Sequence, residues 1–277
     1  MRGRIIESRR RQRLFADRRH RQTQEENKVT TQKAQPFDRT ISVIGKPAFA
    51  RLQQAHVAVF GVGGVGAACA EALARSGVGS ITLVDHDVVS ITNINRQLIA
   101  LHSTLRQRKV DVCAARLRDI NPDIKITALP LFFEEGSFDA IDFSSFDAVA
   151  DCVDTLSAKL LIAKTCILRD IPIICCLGAG NRLDPMQLRI GDIYETSGCP
   201  LARRMRKACR EQAIPALRVL YSLEEPVKAV TEAHNGRHAP GSVAFVPPVA
   251  GMMMAGDLIR HLMNPAHTPQ SQPPALP

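Results

Sequence analysis

The apolar residues of this chain fall into short runs that alternate with longer amphipathic stretches. Residues 56–60 (HVAVF) and 81–85 (ITLVD) are two such runs, and the Ala-rich stretch 67–79 between them has the composition of a helix. Short apolar runs bounded by turn residues indicate buried strands, and a strand–helix–strand order gives a right-handed crossover between parallel strands. The sequence therefore predicts a βαβ unit over residues 56–85.

The same alternation continues along the chain. The further expected elements are helices at residues 106–119 and 157–170 and strands at residues 123–130, 147–152 and 171–177. Repeated strand–helix alternation predicts an α/β fold with a doubly wound, Rossmann-like, mostly parallel sheet and helices on both faces. Ligands of such sheets bind beyond the carboxyl ends of the strands, so residues that follow each strand are the candidates for chemistry.

Composition divides the 277 residues into three parts: a basic tail at 1–35, one α/β domain at 36–264 and a Pro-rich tail at 265–277. We expect both tails to be disordered. Residues 241–256 carry no charge but are interrupted by Pro247-Pro248 and are too short to span a membrane, so a core or dimer helix is favoured. His234 and His238 lie in a polar, Gly/Pro-rich stretch and are expected to be exposed loop residues without a metal.

The net charge of +9 belongs mainly to the first tail. Residues 1–35 contain eleven Lys and Arg against four Asp and Glu, whereas the rest of the chain is nearly balanced. The tail is either a solvated extension or an arm that binds RNA phosphates. Glu7 and Asp17 interrupt the basic run and argue against a mitochondrial presequence.

Eight cysteines show no paired C-x-x-C spacing. In a chain of this length without a signal peptide, we interpret them as reduced intracellular thiols rather than as disulfides or a zinc framework. Most lie in apolar runs and are expected to be buried. Cys199 and Cys209 lie in a more basic neighbourhood and are the two candidates for reactivity.

Four glycines follow the first predicted strand: Gly61, Gly63, Gly64 and Gly66. At a strand-to-helix turn, glycine lets the backbone approach phosphate oxygens, and the helix N-terminus offers free N–H groups and the positive end of its dipole. Asp85, at the end of the next strand, is placed to accept hydrogen bonds from ribose hydroxyls. These features fit NAD as well as ATP, and alone they favour a dehydrogenase.

Charged residues after the second and fourth predicted strands favour ATP over NAD as the ligand. Arg96 and Lys109 supply cations, and Asp154 supplies a carboxylate for magnesium, as an attack on the α-phosphate of ATP requires. Each of them alone could be a surface salt bridge or a helix cap. Because the set follows the strand ends in order, the sequence favours an ATP site. A P-loop is excluded because no G-K-[ST] follows the glycines.

The ordered motifs G-x-G-G-x-G, D-x-D, N-x-N-R-Q, a lysine and D-x-x-D resemble the ubiquitin-activating-like (ThiF/MoeB-type) adenylyltransferase superfamily, whose members adenylate a carboxylate. The resemblance covers residues 36–264 and implies ATP and Mg²⁺ as cofactors. It implies that Arg96 and Lys109 bind the triphosphate and that Asp154 holds the metal. The residues that it implies for nucleotide binding are Gly61, Gly63, Gly64, Gly66, Asp85, Asp87, Asn93, Asn95 and Gln97.

Within the superfamily, residues 178–207 and 241–251 resemble the tRNA threonylcarbamoyladenosine dehydratase family. That family uses ATP to cyclise the threonylcarbamoyl group on the adenosine beside the anticodon. No zinc is expected, because the two C-x-x-C pairs of many carrier-activating members are missing. One departure is Cys199, which stands where the family usually has the Asp of Asp-Pro-Leu.

The resemblance also implies partners. Arg39 matches an arginine that reaches the neighbouring subunit's ATP and acts in catalysis there, which implies a homodimer with shared active sites. A tRNA is the implied substrate, and a basic face on a predicted helix is a candidate for contacting its phosphates. The residues of this face are Arg203, Arg204, Arg206, Lys207 and Arg210. A cysteine desulfurase or a sulfur carrier is a further candidate partner.

Two other functions stay open. The first is an adenylyltransferase that activates the C-terminal glycine of a sulfur-carrier protein. The second, from another class, is a non-catalytic dinucleotide- or RNA-binding module. The leading hypothesis is a cytoplasmic, ATP-dependent enzyme that dehydrates threonylcarbamoyladenosine in tRNA through adenylation of its carboxylate.

Overall fold

The structure is a computed structural model, and it describes residues 34–228 and 240–264. Contacts divide the chain into two units, residues 1–38 and 39–277. In the first unit, residues 34–38 form an extended segment, a turn and the first residue of a helix. Apart from residues 34 and 35, both predicted tails lie outside the described residues, as do His234 and His238.

Seven helices and seven strands make up the described regular structure. The helices are α1 (Asp38–Ile44), α2 (Lys46–Gln54), α3 (Gly66–Arg75), α4 (Lys109–Ile120), α5 (Leu156–Leu168), α6 (Pro200–Glu211) and α7 (Val246–Met263). The strands are β1 (His56–Phe60), β2 (Ser80–Val84), β3 (Lys125–Leu129), β4 (Ala148–Asp151), β5 (Ile173–Cys176), β6 (Leu188–Asp192) and β7 (Arg218–Ser222). Short 3-10 helices occur in several of the connections.

The strands form one sheet in the order β3-β2-β1-β4-β5-β7-β6. Neighbouring strands run parallel, except that β6 runs antiparallel to β7. The chain winds outward from β1 through β2 to β3 and then crosses to β4 on the other side of β1. The gap beyond the carboxyl ends of β1 and β4 is therefore the switch point at which such sheets bind ligands. The predicted α/β, mostly parallel sheet is confirmed.

Both faces of the sheet are covered, as alternate residues of β1 demonstrate. Val57 and Val59 pack with buried residues of α3, α4 and α7, whereas Ala58 and Phe60 pack in a second cluster with residues of α5. A third cluster packs α6 against β5 and β7. Successive side chains of a strand point to opposite faces, so a strand covered on both faces is apolar throughout.

Helix α7 begins just before the two prolines that interrupt the uncharged stretch 241–256 in the sequence. Pro247 and Pro248 occupy its first turn, in which the missing N–H of proline has no helical partner to lose. The predicted core position is confirmed, since Val246, Ala250 and Met254 are buried. A Cβ at Gly251 would lie 2.2 Å from the Val65 carbonyl oxygen, so α7 crosses the start of α3 almost backbone to backbone. No helix among residues 34–228 and 240–264 has the length and apolar character of a membrane span.

Candidate active site

A cavity of about 390 Å³ opens beyond the carboxyl ends of β1, β2 and β4. This volume is within the range of small-molecule sites. Ten of the residues that the sequence proposes for the site line the cavity: Gly61, Gly63, Gly64, Asp85, Asp87, Asn93, Arg96, Gln97, Lys109 and Asp154. Gly66, Asn95 and Arg39 do not line it. Arg39 is exposed on α1, a helix that has no buried residue.

The four glycines of the turn after β1 serve different purposes. Gly61 has a φ of +84°, and a Cβ there would lie 2.7 Å from the Cys152 carbonyl oxygen; at Gly66 it would lie 1.7 Å from the Gly61 carbonyl oxygen. The fold itself therefore requires glycine at both positions. At Gly63 the nearest atom would be Gln97 Nε2, at an ordinary 3.7 Å. Packing does not explain glycine at this position, whereas a ligand that approaches the backbone does.

Asp85 connects the ends of β1 and β2. Its Oδ2 accepts a hydrogen bond from the Val62 N–H at 2.6 Å, and its Oδ1 accepts one from the Asp87 N–H at 2.8 Å. A carboxylate oxygen can accept two hydrogen bonds, so each oxygen keeps capacity for a further donor. The two backbone bonds fix the carboxylate at the rim of the cavity, where ribose hydroxyls are suitable donors.

Lys109, at the start of α4, is almost fully buried beside the cavity. Its Nζ lies 2.6 Å from Asp87 Oδ2, and its backbone N–H donates to the Asp87 carbonyl oxygen at 3.0 Å. Asp87 therefore holds the lysine in place as well as lining the cavity. The bridge between Val88 and Arg108 extends this contact, which explains why α4 begins at Lys109 and not at residue 106.

The loop after β2 is built mainly from its own polar side chains. The Asn93 carboxamide oxygen accepts from the Ser90 N–H at 3.1 Å, and Asn95 donates to the Ser242 carbonyl oxygen at 2.9 Å. Arg96 Nη1 donates to the Thr92 carbonyl oxygen at 2.9 Å and to Asn95 Oδ1 at 3.0 Å. These bonds hold a half-buried guanidinium at the edge of the cavity without giving it a carboxylate partner among the described residues.

Two aspartates after β4 have opposite environments. Asp151 is fully buried, and its Oδ2 lies 3.1 Å from Nζ of the equally buried Lys159. Burial lowers the pKa of Lys159, but the attraction of Asp151 outweighs this effect and raises it. Asp154 is exposed in the cavity and has no hydrogen bond or ion pair within the described part of the chain. The other oxygen of Asp151, Oδ1, accepts from the Val153 N–H at 3.1 Å, which connects the buried pair to the turn that presents the free Asp154 carboxylate.

The residues present fit a magnesium ion. Mg²⁺ prefers oxygen ligands and binds through one or two carboxylates together with substrate phosphates. Asp154 offers such a carboxylate. Asp85, His86 and Asp87 could also bring ligand atoms within 4.8 Å of one another. However, these carboxylates already bind backbone N–H groups and Lys109. Asp154 is therefore the better candidate for a metal ligand.

An apolar part of the cavity was not predicted from the sequence. Leu131, Phe133, Val153 and Ala158 line it, and Phe132 stands edge-on to His86 with ring centroids 4.8 Å apart. Such a surface is suited to a purine ring. The segment after β3 carries no motif, so only its aromatic content (LFF) could have indicated this role.

Seven of the eight cysteines are buried thiols, and Cys152 is half-buried. Burial raises the pKa of Cys69 and Cys113 to about 12 and that of Cys209 to about 11. Cys209 is buried and its pKa is raised, which argues against the reactivity considered for it. Cys199 is the N-cap of α6, with its sulfur accepting from the Ala202 N–H at 3.5 Å. Asp is a preferred N-cap residue, so a capping role accounts for the Asp usual at this position.

Helix α6 presents four of its five predicted basic residues to solvent. Arg203, Arg204, Lys207 and Arg210 are exposed, and Arg210 lies over the Tyr194 ring at 5.5 Å. Arg206 instead donates to the backbone carbonyl and the hydroxyl of Thr196. Its guanidinium is thus engaged in internal hydrogen bonds, and the candidate RNA surface is reduced to the other four residues.

A glycine turn, two cations and an unpaired carboxylate at the switch point of a doubly wound sheet define a nucleotide-binding protein equipped for adenylation. Residues 37–275 match the ThiF family, and the chain belongs to that family. The predicted membership of the ThiF/MoeB-type superfamily is confirmed.

Several individual proteins are similar over most of the chain. The tRNA threonylcarbamoyladenosine dehydratase of Bacillus subtilis is 42% identical over 240 residues, which cover 82% of this chain and 94% of that protein. The crystal structure of the Escherichia coli enzyme TcdA in complex with ATP has a TM-score of 0.76 at 29% identity, covering 86% of this chain and 98% of that chain. The molybdopterin-synthase adenylyltransferase of Salmonella typhimurium is 31% identical, covering 70% of this chain and 79% of that protein.

Proposed function

We propose that this protein is an ATP-dependent tRNA threonylcarbamoyladenosine dehydratase that adenylates the carboxylate of its substrate. The observation that carries the proposal is the convergence of Arg96, Lys109 and the unpaired Asp154 around the glycine turn in one cavity. Hydride transfer from a dinucleotide does not require this set. The 42% identity to the Bacillus subtilis dehydratase supports the same reaction.

In this proposal the nucleotide lies across the ends of β1 and β2. Gly63, Gly64 and the N-terminus of α3 receive the phosphates, and Asp85 receives the ribose hydroxyls. Arg96 and Lys109 neutralise the triphosphate, with Asp87 holding Lys109 in position. Asp154 would hold Mg²⁺, which supplies positive charge against the phosphate oxygens when it is bound. The family resemblance adds the backbone and side chains of Gly61, Gly66, Asn93, Asn95 and Gln97 as supports of this site.

The chemistry follows from bringing two anions together. A carboxylate oxygen of the substrate attacks the α-phosphorus of ATP, the bond to the bridging oxygen breaks, and pyrophosphate leaves. The product is an acyl-adenylate, in which AMP is a good leaving group. A nucleophile in the same side chain then attacks the acyl carbon and closes the ring, with the high effective concentration of an intramolecular reaction. No thiolate of the protein is required as a nucleophile.

The exposed residues Arg203, Arg204, Lys207 and Arg210 on α6 are proposed to contact tRNA phosphates. Such contacts position the RNA and weaken with salt. We further propose a homodimer in which Arg39 reaches the neighbouring active site, because its own cavity does not include it. An enzyme acting on tRNA is expected in the cytoplasm, and a cysteine desulfurase remains a candidate partner.

The decisive experiment combines the purified protein with ATP, Mg²⁺ and tRNA that carries threonylcarbamoyladenosine. We expect release of AMP and pyrophosphate and a modified nucleoside lighter by one water in mass analysis. Asp154→Asn should lower the rate by about 100-fold or more, as loss of charge stabilisation at a transition state does. The matched control is Asp123→Asn, which changes an exposed aspartate between α4 and β3. Unchanged turnover in Asp154→Asn would contradict the magnesium assignment.

The same assay separates the other two functions. Pyrophosphate exchange that is stimulated by a small sulfur-carrier protein and not by tRNA would favour the carrier adenylyltransferase, for which the Salmonella typhimurium relative argues. Tight binding of NADH without AMP release would favour the non-catalytic module. The homodimer is tested by sedimentation and by mixing Arg39→Ala with Asp154→Asn subunits, since shared sites would restore part of the activity in the mixed dimers.

A further inference from the structure

Arg182 is a buried cation without a counter-ion in the described structure. It lies six residues beyond the end of β5, and only 2% of its surface is exposed. Its Nε and Nη1 atoms have no hydrogen-bond partner, and no carboxylate of the described residues pairs with it. A guanidinium cannot be deprotonated in a protein, and a buried charge without a partner is strongly unfavourable. We therefore expect an anion from outside the described residues to complete this site.

The position of Arg182 relates it to the active-site cavity. Ala179 and Gly180, just before it, line the cavity, and the Asn181 N–H donates to the carbonyl oxygen of Gly241, another lining residue, at 2.8 Å. In the sheet, β5 follows β4 on the side away from β2. The proposed ribose site at Asp85 and the Arg182 segment thus lie on opposite sides of the proposed metal ligand Asp154.

Two residues that line the cavity, which Arg182 itself does not, also have unsatisfied side-chain atoms. Within the described residues, the buried side-chain nitrogen and oxygen atoms without a partner belong to Arg182, Gln97 and Ser242. Both Gln97 and Ser242 line the cavity. Such atoms are rare in folded proteins and call for an explanation. Gln97 and Ser242 offer the cavity an amide oxygen that accepts and a hydroxyl that does either, and Arg182 offers a charged donor two residues beyond the lining residue Gly180.

We infer that Arg182 binds the carboxylate of the second substrate, an N-carbamoyl amino-acid side chain, and thereby selects for a charged acyl group. Gln97 Oε1 accepts the N–H next to that carboxylate. One carboxylate oxygen on the guanidinium leaves the other free to attack the α-phosphorus. This inference rests on the proposed function and names the residue that recognises its acid substrate.

The test compares an acid with its neutral analogue. The probes are the nucleoside N6-threonylcarbamoyladenosine and the same nucleoside with its carboxylate converted to a primary amide. Calorimetry with Mg²⁺ and a non-hydrolysable ATP analogue measures both affinities for the whole enzyme. We expect the wild-type protein to bind the acid about 30-fold or more tightly than the amide, as for a buried charge pair that loses one partner. Arg182→Gln should abolish that preference, and Arg182→Lys should restore part of it.

A second measurement separates binding from folding. If Arg182 serves a ligand, Arg182→Gln removes an unpaired buried charge, and its melting temperature without ligands should equal or exceed that of the wild type. Affinity for the ATP analogue should stay within about twofold, because the nucleotide lies on the other side of Asp154. The control is Arg118→Gln, which changes an exposed arginine that donates to the Ile126 carbonyl oxygen. This variant should keep the wild-type preference.

Two results would overturn the inference. If Arg182→Gln weakens the ATP analogue and keeps the preference for the acid, the guanidinium serves the nucleotide. If Arg182→Gln lowers the melting temperature and the protein still prefers the acid to the amide, Arg182 has a structural role. Failure of the proposed function is distinguishable, since the wild-type protein itself would then leave threonylcarbamoyladenosine in tRNA unchanged and would bind neither probe.

Discussion

Two glycines of the turn after β1 allow the ligand and the fold to be tested separately. Gly63 and Gly66 are three residues apart, and neither has a positive φ, so the φ angle itself does not require glycine at either position. A Cβ at Gly66 would lie 1.7 Å from the Gly61 carbonyl oxygen, whereas at Gly63 the nearest atom is 3.7 Å away. The same substitution therefore produces a backbone clash at one position and ordinary contact at the other.

The expected magnitudes differ accordingly. Gly66→Ala forces α3 away from β1, and we expect a loss of about 3 kcal/mol or more in the free energy of unfolding. For a domain of this size, that corresponds to a melting temperature lower by about 6–12 °C. Gly63→Ala should change the free energy of unfolding by less than about 1 kcal/mol. Its methyl group enters the cavity, and we expect ATP affinity to fall about tenfold or more, which is about 1.4 kcal/mol.

Thermal unfolding without ligand and calorimetric titration with ATP and Mg²⁺ measure the two effects on the same samples. A Gly63→Ala protein that binds ATP as tightly as the wild type would refute the interpretation of the glycine turn as a phosphate site. A Gly63→Ala protein as unstable as Gly66→Ala would refute the separation of roles. Wild-type protein measured in parallel gives the reference for both quantities.

Three further predictions follow from buried polar contacts. Lys159→Met should lower the free energy of unfolding by about 3–5 kcal/mol in denaturant titrations, because it leaves Asp151 charged and buried, and the double variant with Asp151→Asn should recover much of this loss. Cys199→Asp should raise the free energy of unfolding by about 0.5–1 kcal/mol by capping α6 better, and an unchanged or lower value would contradict the capping role. Burial raises the pKa of Glu71, but hydrogen bonds from Arg116 and Arg75 outweigh it and hold the pKa below its ordinary value of 4.5. The contribution of the ionised Glu71 to the free energy of unfolding is therefore present above pH 4.5 and lost as the pH falls through the lowered pKa. The difference in stability between the wild type and Glu71→Gln should therefore shrink on acidification. A difference that does not change with pH would contradict the importance of the ion pairs.

The central strands could be predicted because they are buried on both faces. The runs at β1, β2, β4 and β5 are mostly apolar, and the predicted boundaries differ from the observed ones by at most two residues. β6 was not predicted, since it lies at the sheet edge, has only Leu188 fully buried and contains Gly191. An antiparallel edge strand gives no strand–helix alternation to detect.

The site residues could be proposed because their order along the chain follows the strand ends. The contacts between these side chains could not be predicted. Lys109 and Asp87 are 22 residues apart, and nothing in the spacing fixes the 2.6 Å contact between them. The isolation of Arg182 was equally hidden, because an unpaired arginine and a paired one have the same sequence signal.

The crossing of α3 and α7 has a consequence for the synthesis of the protein. Gly251 packs against the Val65 carbonyl, and Pro247 lies against Gly64, so the last described helix completes the wall of a site whose other lining residues all precede it in the chain. A nascent chain on the ribosome can assemble the sheet around β1 long before this helix emerges. The wall of the cavity is complete only after residues 246–251 have emerged, so a product truncated before residue 246 is expected to lack the complete site.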